Sequence, residues 1–327
     1  MPTRRVQLTG KETFTLSLPK SWAVKNGVSP GSELRIDEEK DGSLRVGLPA
    51  LSKPSEEAVI RLDSVSSHEA LQRLIIAKYL NGFDVIRVSY HGRMPQAYRQ
   101  AARLQAGMLE GLEVVEEKDN ELVFQDFLSK ESVSIQRMLR RADAIASSMH
   151  RDSVEALVSG DPSLSARVAR QEDEVDRVRH LITRQLNFAL NSSTLMGALG
   201  LTATDCLDFH IVAENVEEIA DSALEISQFS RKGRHASSQS AGFARQVTAE
   251  VSALHADAIK AFFGGGFALA DSVVSRQAKL GRRTHARENE FISSGEKPQW
   301  LTTFTSESLK IAGYAAEIAK VVIDRGT

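Results

Sequence analysis

A chain of 327 residues has room for two or three domains, and 42% apolar with 26% charged residues is the composition of a chain that folds around cores. Its 41 basic and 43 acidic residues leave a formal net charge of −2, which excludes a uniformly basic nucleic-acid coat while allowing local basic patches. The single cysteine, Cys206, excludes an internal disulfide and any zinc site built on several cysteines.

Residues 1–48 read as a small β-rich unit. Val6 and Leu8, then Phe14, Leu16 and Leu18, alternate with polar residues at the period of half-buried strands. Pro19 to Lys25 is a short helix with Gly27 at its C′ position. Leu34/Ile36 and Leu44/Val46 alternate again around Asp41-Gly42, a hairpin signal. Forty-odd residues in a strand–strand–helix–strand–strand order bury little core alone, so dimerisation is expected. Pro49 to Pro54, with its serine and lysine, reads as a linker.

Residues 56–126 alternate strand and helix. A strand over Ala58–Leu62 leads to a helix capped by Ser67, and Gly82 ends it before a second strand, Asp84–Val88. Pro95 opens another helix that closes near Gly111, and Val114-Val115 with Leu122–Phe124 form a hairpin through Asp119-Asn120. This is a compact α+β module without a catalytic constellation; His91 beside Gly92 is a turn residue. It could space the first unit from the rest or extend a dimer interface.

From Leu128 onward the pattern is helical throughout. Apolar residues recur every three or four positions from Val133 to Met149, from Val168 to Leu186 and from Leu207 to Ile226, with a loop over Asn191–Gly200. Arg231-Lys232-Gly233-Arg234 breaks the series, and three more helices follow, with Gly264-Gly265-Gly266 as the turn between the first two. The expected class is α+β multidomain, ending in two antiparallel three-helix bundles over 128–230 and 240–327. The longest small or apolar run, Ala261–Ala270, falls well short of the roughly 20 residues of a membrane span, and no apolar leader follows Met1. The expectation is a cytoplasmic protein with no membrane insertion.

The two bundles look like a tandem duplication. Lys310–Ile318 stands under Glu218–Ile226, and Val168-Ala169-Arg170-Gln171 echoes Val274-Ser275-Arg276-Gln277. The first bundle also holds a polar constellation. Glu172 and Asp176 are four apart on one helix, with His180 a turn further; His210, Glu214, Glu217 and Asp221 make a stripe on the next. If these helices are antiparallel neighbours, Asp176 lies near Glu217 and Glu172 near Asp221. Carboxylates so gathered repel unless a cation sits among them. Arg167, Arg170 or Arg177 would serve, and a divalent or trivalent metal would serve better. A solvated acidic face is the other reading of this spacing, and structural roles are expected for both histidines.

Glu172-Asp173-Glu174-Val175-Asp176 together with Asn215 to Asp221 resembles the paired Glu/Asp-x-x-x-Asp motifs of the PhoU family of phosphate-uptake regulators. The resemblance covers about 128–327. It implies two three-helix bundles, a metal of the iron, zinc or magnesium class held by Glu172, Asp176, Glu217 and Asp221, and phosphate-transporter components or a signalling kinase as partners. In the second repeat the aligned positions are Ala278, Arg282, Leu309 and Gly313, so at most one cluster per chain is expected.

Thr13 to Trp22, followed by Gly27 to Leu34, resembles the AbrB/MazE/SpoVT swapped-hairpin fold, with Ser32 where that family often has Asp. Such domains dimerise by interleaving hairpins and usually bind DNA. Arg4, Arg5, Lys11, Lys20 and Lys25 against Glu12 leave residues 1–26 positive, whereas Glu33, Asp37, Glu38, Glu39 and Asp41 make the next hairpin acidic. The expectation is a homodimeric, DNA-binding regulator of phosphate uptake with a helical sensor body. A non-DNA-binding adaptor, acting on a transporter or kinase by protein contacts, is the alternative. An enzyme is not expected, because no nucleophile–base pair or glycine-rich phosphate loop stands in the chain.

Overall fold

The structure, a computed structural model, describes residues 3–38, 42–48, 56–128, 134–229, 237–293 and 299–326. The expected linker, Val133, Glu39, Asp41 and the Arg231–Arg234 break lie outside them. The chain divides into two compact units, Met1–Ser55 and Glu56–Thr327.

In the first unit, strands β1 (Gln7–Thr9) and β2 (Thr13–Thr15) pair antiparallel with Leu8 opposite Phe14. Helix α1 (Lys20–Lys25) starts after Pro19 and ends at a left-handed Gly27. Strands β3 (Arg35–Glu38) and β4 (Leu44–Gly47) form a second antiparallel hairpin with Ile36 opposite Val46. Not one described residue of this head is buried. Phe14 is 75% exposed, and Val6, Leu8, Leu16, Val24, Ile36 and Leu44 are all more than half exposed.

The second unit begins with the α+β module. Its sheet has the order β5-β6-β8-β7, made by β5 (Glu57–Arg61), β6 (Val85–Ser89), β7 (Leu112–Lys118) and β8 (Glu121–Asp126). β5 and β6 run parallel, as a helical crossover requires, and the other pairs are antiparallel. Helices α2 (His68–Leu80), capped by the Ser67 hydroxyl on Ala70 N, and α3 (Gln96–Gly107) close a core around Leu71, Ile75, Ile86 and Phe124.

Helices α4 (Ile135–Ser159), α5 (Pro162–Asn191) and α7 (Ala203–Gln228) make the first repeat; α8 (Ser238–Lys260), α9 (Gly266–Ser293) and α10 (Gln299–Asp324) make the second. One apolar core runs through both. The expected loop after α5 holds one more short helix, α6 (Ser193–Ala198), started by the Ser192 hydroxyl on Leu195 N. Between α8 and α9 the chain passes through a π-helical turn, Ala261–Gly265, with positive φ at Gly264 and Gly266.

Burial exposes the duplication more directly than sequence. Buried residues of α4 and α8 recur at a constant separation of 105 residues: Leu139 with Ala244, Ala142 with Val247, Met149 with Leu254, Val154 with Ile259, Leu157 with Phe262. A Ser-x-x-His pair recurs at the same separation, and the two copies meet. His150 Nδ1 lies 3.4 Å from Ser252 Oγ, and His255 Nδ1 lies 3.4 Å from Ser147 Oγ. On α5 and α9, Ser165, Val168, Val175 and Leu186 share burial with Ala270, Val273, Leu280 and Phe291, again 105 apart. This shifts the alignment expected from sequence by one residue: Gln277 and Gly281, not Ala278 and Arg282, stand under Glu172 and Asp176. The core phase decides the register, because a one-residue shift turns a helix by about 100°. Neither register places a carboxylate of α9 under Glu172 or Asp176.

The module is docked on α5 through a buried ion pair. The Arg184 guanidinium donates to the Tyr79 and Phe83 carbonyls and to Asp126 Oδ2, and lies over the Tyr79 and Phe188 rings. The Arg184 and Asp126 side chains are 1% and 3% exposed. Asn187 donates to the Leu80 carbonyl at 2.8 Å. Gly82, at φ 88°, leaves room for Phe188; a Cβ there would stand 2.6 Å from its ring.

Candidate functional site

α5 and α7 are well-started helices, so their polar residues keep a set phase. Asp161 caps α5 by accepting from Ser163 N at 2.8 Å, with Pro162 in the first turn. Thr202 and Asp205 form a reciprocal capping box at the start of α7. The two helices pack side by side and bring the expected carboxylates together. Glu172 feels the charges of Asp176 and Asp221; Glu217 feels Asp221, Asp176 and Glu214.

The neutralising cation is Arg179, not Arg167, Arg170 or Arg177. Its guanidinium lies 3.1 Å from Glu214, 3.4 Å from Glu217 and 3.8 Å from Asp176. Arg167 pairs with Asp152 instead, and Arg177 faces Met108 of the module. One arginine does not balance the cluster. Burial, with Asp176 and Asp221 nearby, pushes the Glu172 carboxyl up to about 7. Burial outweighs Arg179 at Glu217, which is pushed up to about 8, and Asp221 is raised by burial, Asp176 and Glu218.

His180 is buried, with Nε2 3.1 Å from Arg179, and its pKa is held down by burial; His210 is half-buried. Among the described residues no three His, Cys, Asp or Glu side chains converge as ligands of one ion. The donor chemistry nevertheless fits a hard cation: three half-buried carboxyls have their pKa raised by burial and by one another's charge.

Beside the cluster opens a hollow of about 600 Å³, lined by Glu172, Asp221, Glu218 and Glu225 and, from α10, by Glu307, Lys310 and Tyr314. Tyr314 donates to Glu218 at 2.8 Å and Lys310 to Glu307 at 2.9 Å. Glu218 and Glu225 continue the helical stripe of Asp221 and were open to sequence reading. The α10 residues arrive only because the second repeat packs against α7.

On the head, Arg4, Arg5, Lys11, Lys20 and Lys25 are all exposed, and none has an ion-pair partner among the described residues. Arg4 and Arg5 precede β1, Lys11 lies in the turn after it, and Lys20 and Lys25 stand at the two ends of α1.

Comparison with known proteins shows what this arrangement is similar to. The PhoU domain matches residues 139–230, the span of the first repeat and its carboxylate seam. The crystal structure of PhoU from Pseudomonas aeruginosa is similar in fold, with a TM-score of 0.53 at 20% identity, over 60% of this chain and 98% of that one. Residues 7–55, the head, match the MazE antidote-toxin recognition domain of bacterial antitoxins. No curated protein sequence is significantly similar to the chain. The PhoU-like body contains no described helix long and apolar enough to cross a membrane.

Proposed function

We propose that this chain is a cytoplasmic, homodimeric regulator of phosphate uptake whose head binds DNA and whose PhoU-like body reads the signal. The observation that carries this is the union in one chain of a MazE-type head with five exposed surface cations and a PhoU-like body with an under-neutralised carboxylate seam. The wholly unburied apolar faces of the head call for a second copy, and two copies double the cationic footprint on phosphate backbone. In the seam, Glu172, Asp176, Glu217 and Asp221 would hold a magnesium- or iron-class cation, which would supply positive charge and draw α5 and α7 together.

Retardation of genomic DNA fragments by the full chain, weakening with salt and lost in Arg5→Ala/Lys20→Ala, is the expected result. Repeating it with Glu217→Ala/Asp221→Ala asks whether the seam tunes binding. A second reading draws on the same exposed apolar head: an adaptor that meets transporter or kinase components through protein contacts. Absence of retardation on every fragment at low salt selects the adaptor.

A further inference from the structure

The two repeats share a core but have diverged along one seam. On α5, Ala169–Ile182 carries four carboxylates and three arginines; on α9, Val274–Arg287 carries five cations and no carboxylate. In the register set by burial, the buried Val178 and Ile182 of α5 are replaced on α9 by Arg283 and Arg287, whose side chains are 63% and 47% exposed. The α8–α9 seam therefore stands open where the first repeat is packed. Two hollows of about 200 and 280 Å³ adjoin along it, sharing Glu250, Leu280 and Arg283.

The floor is apolar: Phe243, Val247 and Leu254 from α8 with Leu280 from α9. From Phe243 to Leu254 it runs about 16 Å, three helical turns. One wall is basic, because Arg276, Lys279, Arg283 and Arg287 lie three or four residues apart on one side of α9. Arg276 and Arg283 are held in place by Asp257 and Glu250 of α8, and Lys279 has no ion-pair partner among the described residues.

We propose that this groove docks an acidic amphipathic helix of a partner protein, its apolar stripe on the floor and its carboxylates against the α9 wall. A nucleic-acid backbone is the poorer occupant, since it has no apolar stripe to lay on the floor. The groove is separate from the head's cations, so it stands or falls independently of DNA binding.

The test uses the full chain and two labelled synthetic helices of four turns with the same leucine stripe, one with glutamate and one with lysine elsewhere. Fluorescence anisotropy is expected to show the glutamate helix binding at least ten-fold tighter, weakening with salt, and losing ten-fold or more against Arg283→Glu/Arg287→Glu. Both positions are exposed, so an unchanged circular dichroism spectrum is expected; Lys279→Glu is a single-site second variant expected to weaken binding several-fold. Equal binding of both helices, or unchanged binding by both variants, overturns the proposal. DNA retardation or self-association that depends on Arg283 and Arg287, without selective uptake of the glutamate helix, also overturns it and assigns the wall to nucleic acid or to a second copy.

Discussion

The two repeats answer the same core pattern with different surfaces. α4 and α8 bury matching positions throughout, yet α5 carries a carboxylate seam and a docked module, whereas α9 carries an arginine wall and an open groove. Duplication keeps the residues that fill the shared core, because a change of even one methylene there is felt. Surface positions are free to change charge, and the pair teaches that charge and not fold separates the two repeats.

The largest test of this difference is Arg184→Ala. It leaves the Asp126 carboxylate buried and unpaired, so about 3–5 kcal/mol should be lost in urea unfolding. Asn289, the exposed counterpart 105 residues on, should change stability by no more than about 0.5 kcal/mol as Asn289→Ala. Equal losses at both sites would show that module docking does not distinguish the repeats.

Next comes acid. Burial holds His150 down to about 3, with His255 and Arg151 nearby, and the His150 counterpart of the Asp143 that lies 3.0 Å from His255 is Thr248. The unfolded chain takes up a proton below about 6.5 and the folded chain does not, so this contribution is complete above pH 6.5 and lost as pH falls towards 3. At pH 4.5 the loss is about 3 kcal/mol. Thr248→Asp should supply the missing carboxylate, raise the His150 titration seen by NMR and flatten the loss.

The seam predicts the opposite slope. Glu217 is protonated in the fold up to about 8 but ionises near 4.5 when unfolded, so it costs stability as pH rises between those values. Glu217→Gln should therefore stabilise the protein at pH 8 by roughly 1 kcal/mol or more and be neutral near pH 4.5. An added divalent cation should relieve the same cost in the parent chain and not in the variant; calorimetry at the two pH values decides.

A change in stability of under about 1 kcal/mol is expected for Arg283→Val/Arg287→Ile, which restores the apolar residues of the first repeat. Loss of glutamate-helix binding with almost unchanged unfolding would show that the groove is a surface property laid over a common core.

Periodicity carries only local information, and most of what is local was legible. The head's strands, the hairpin at Gly42, the Ser67 cap, the module's strands and the six long helices follow from glycine placement, capping and apolar spacing read within a few residues. Glu172, Asp176, Glu217 and Asp221 were legible for the same reason, each pair lying one turn apart on a helix. Arg179 was missed because its ion pairs reach across to α7, and Glu307, Lys310 and Tyr314 because they come from the other repeat.

The amino-acid pattern by itself determined the order of strands and helices, the helical duplication and the carboxylate stripes of the first repeat, since these rest on short-range spacing and side-chain type. Packing alone decided the register of the repeats, the docking of the module through Arg184, the Arg179 counter-ion and the opening between α8 and α9. Each depends on which helix faces meet between parts of the chain tens of residues or more apart, and that choice is made by the volume and polarity of the shared core.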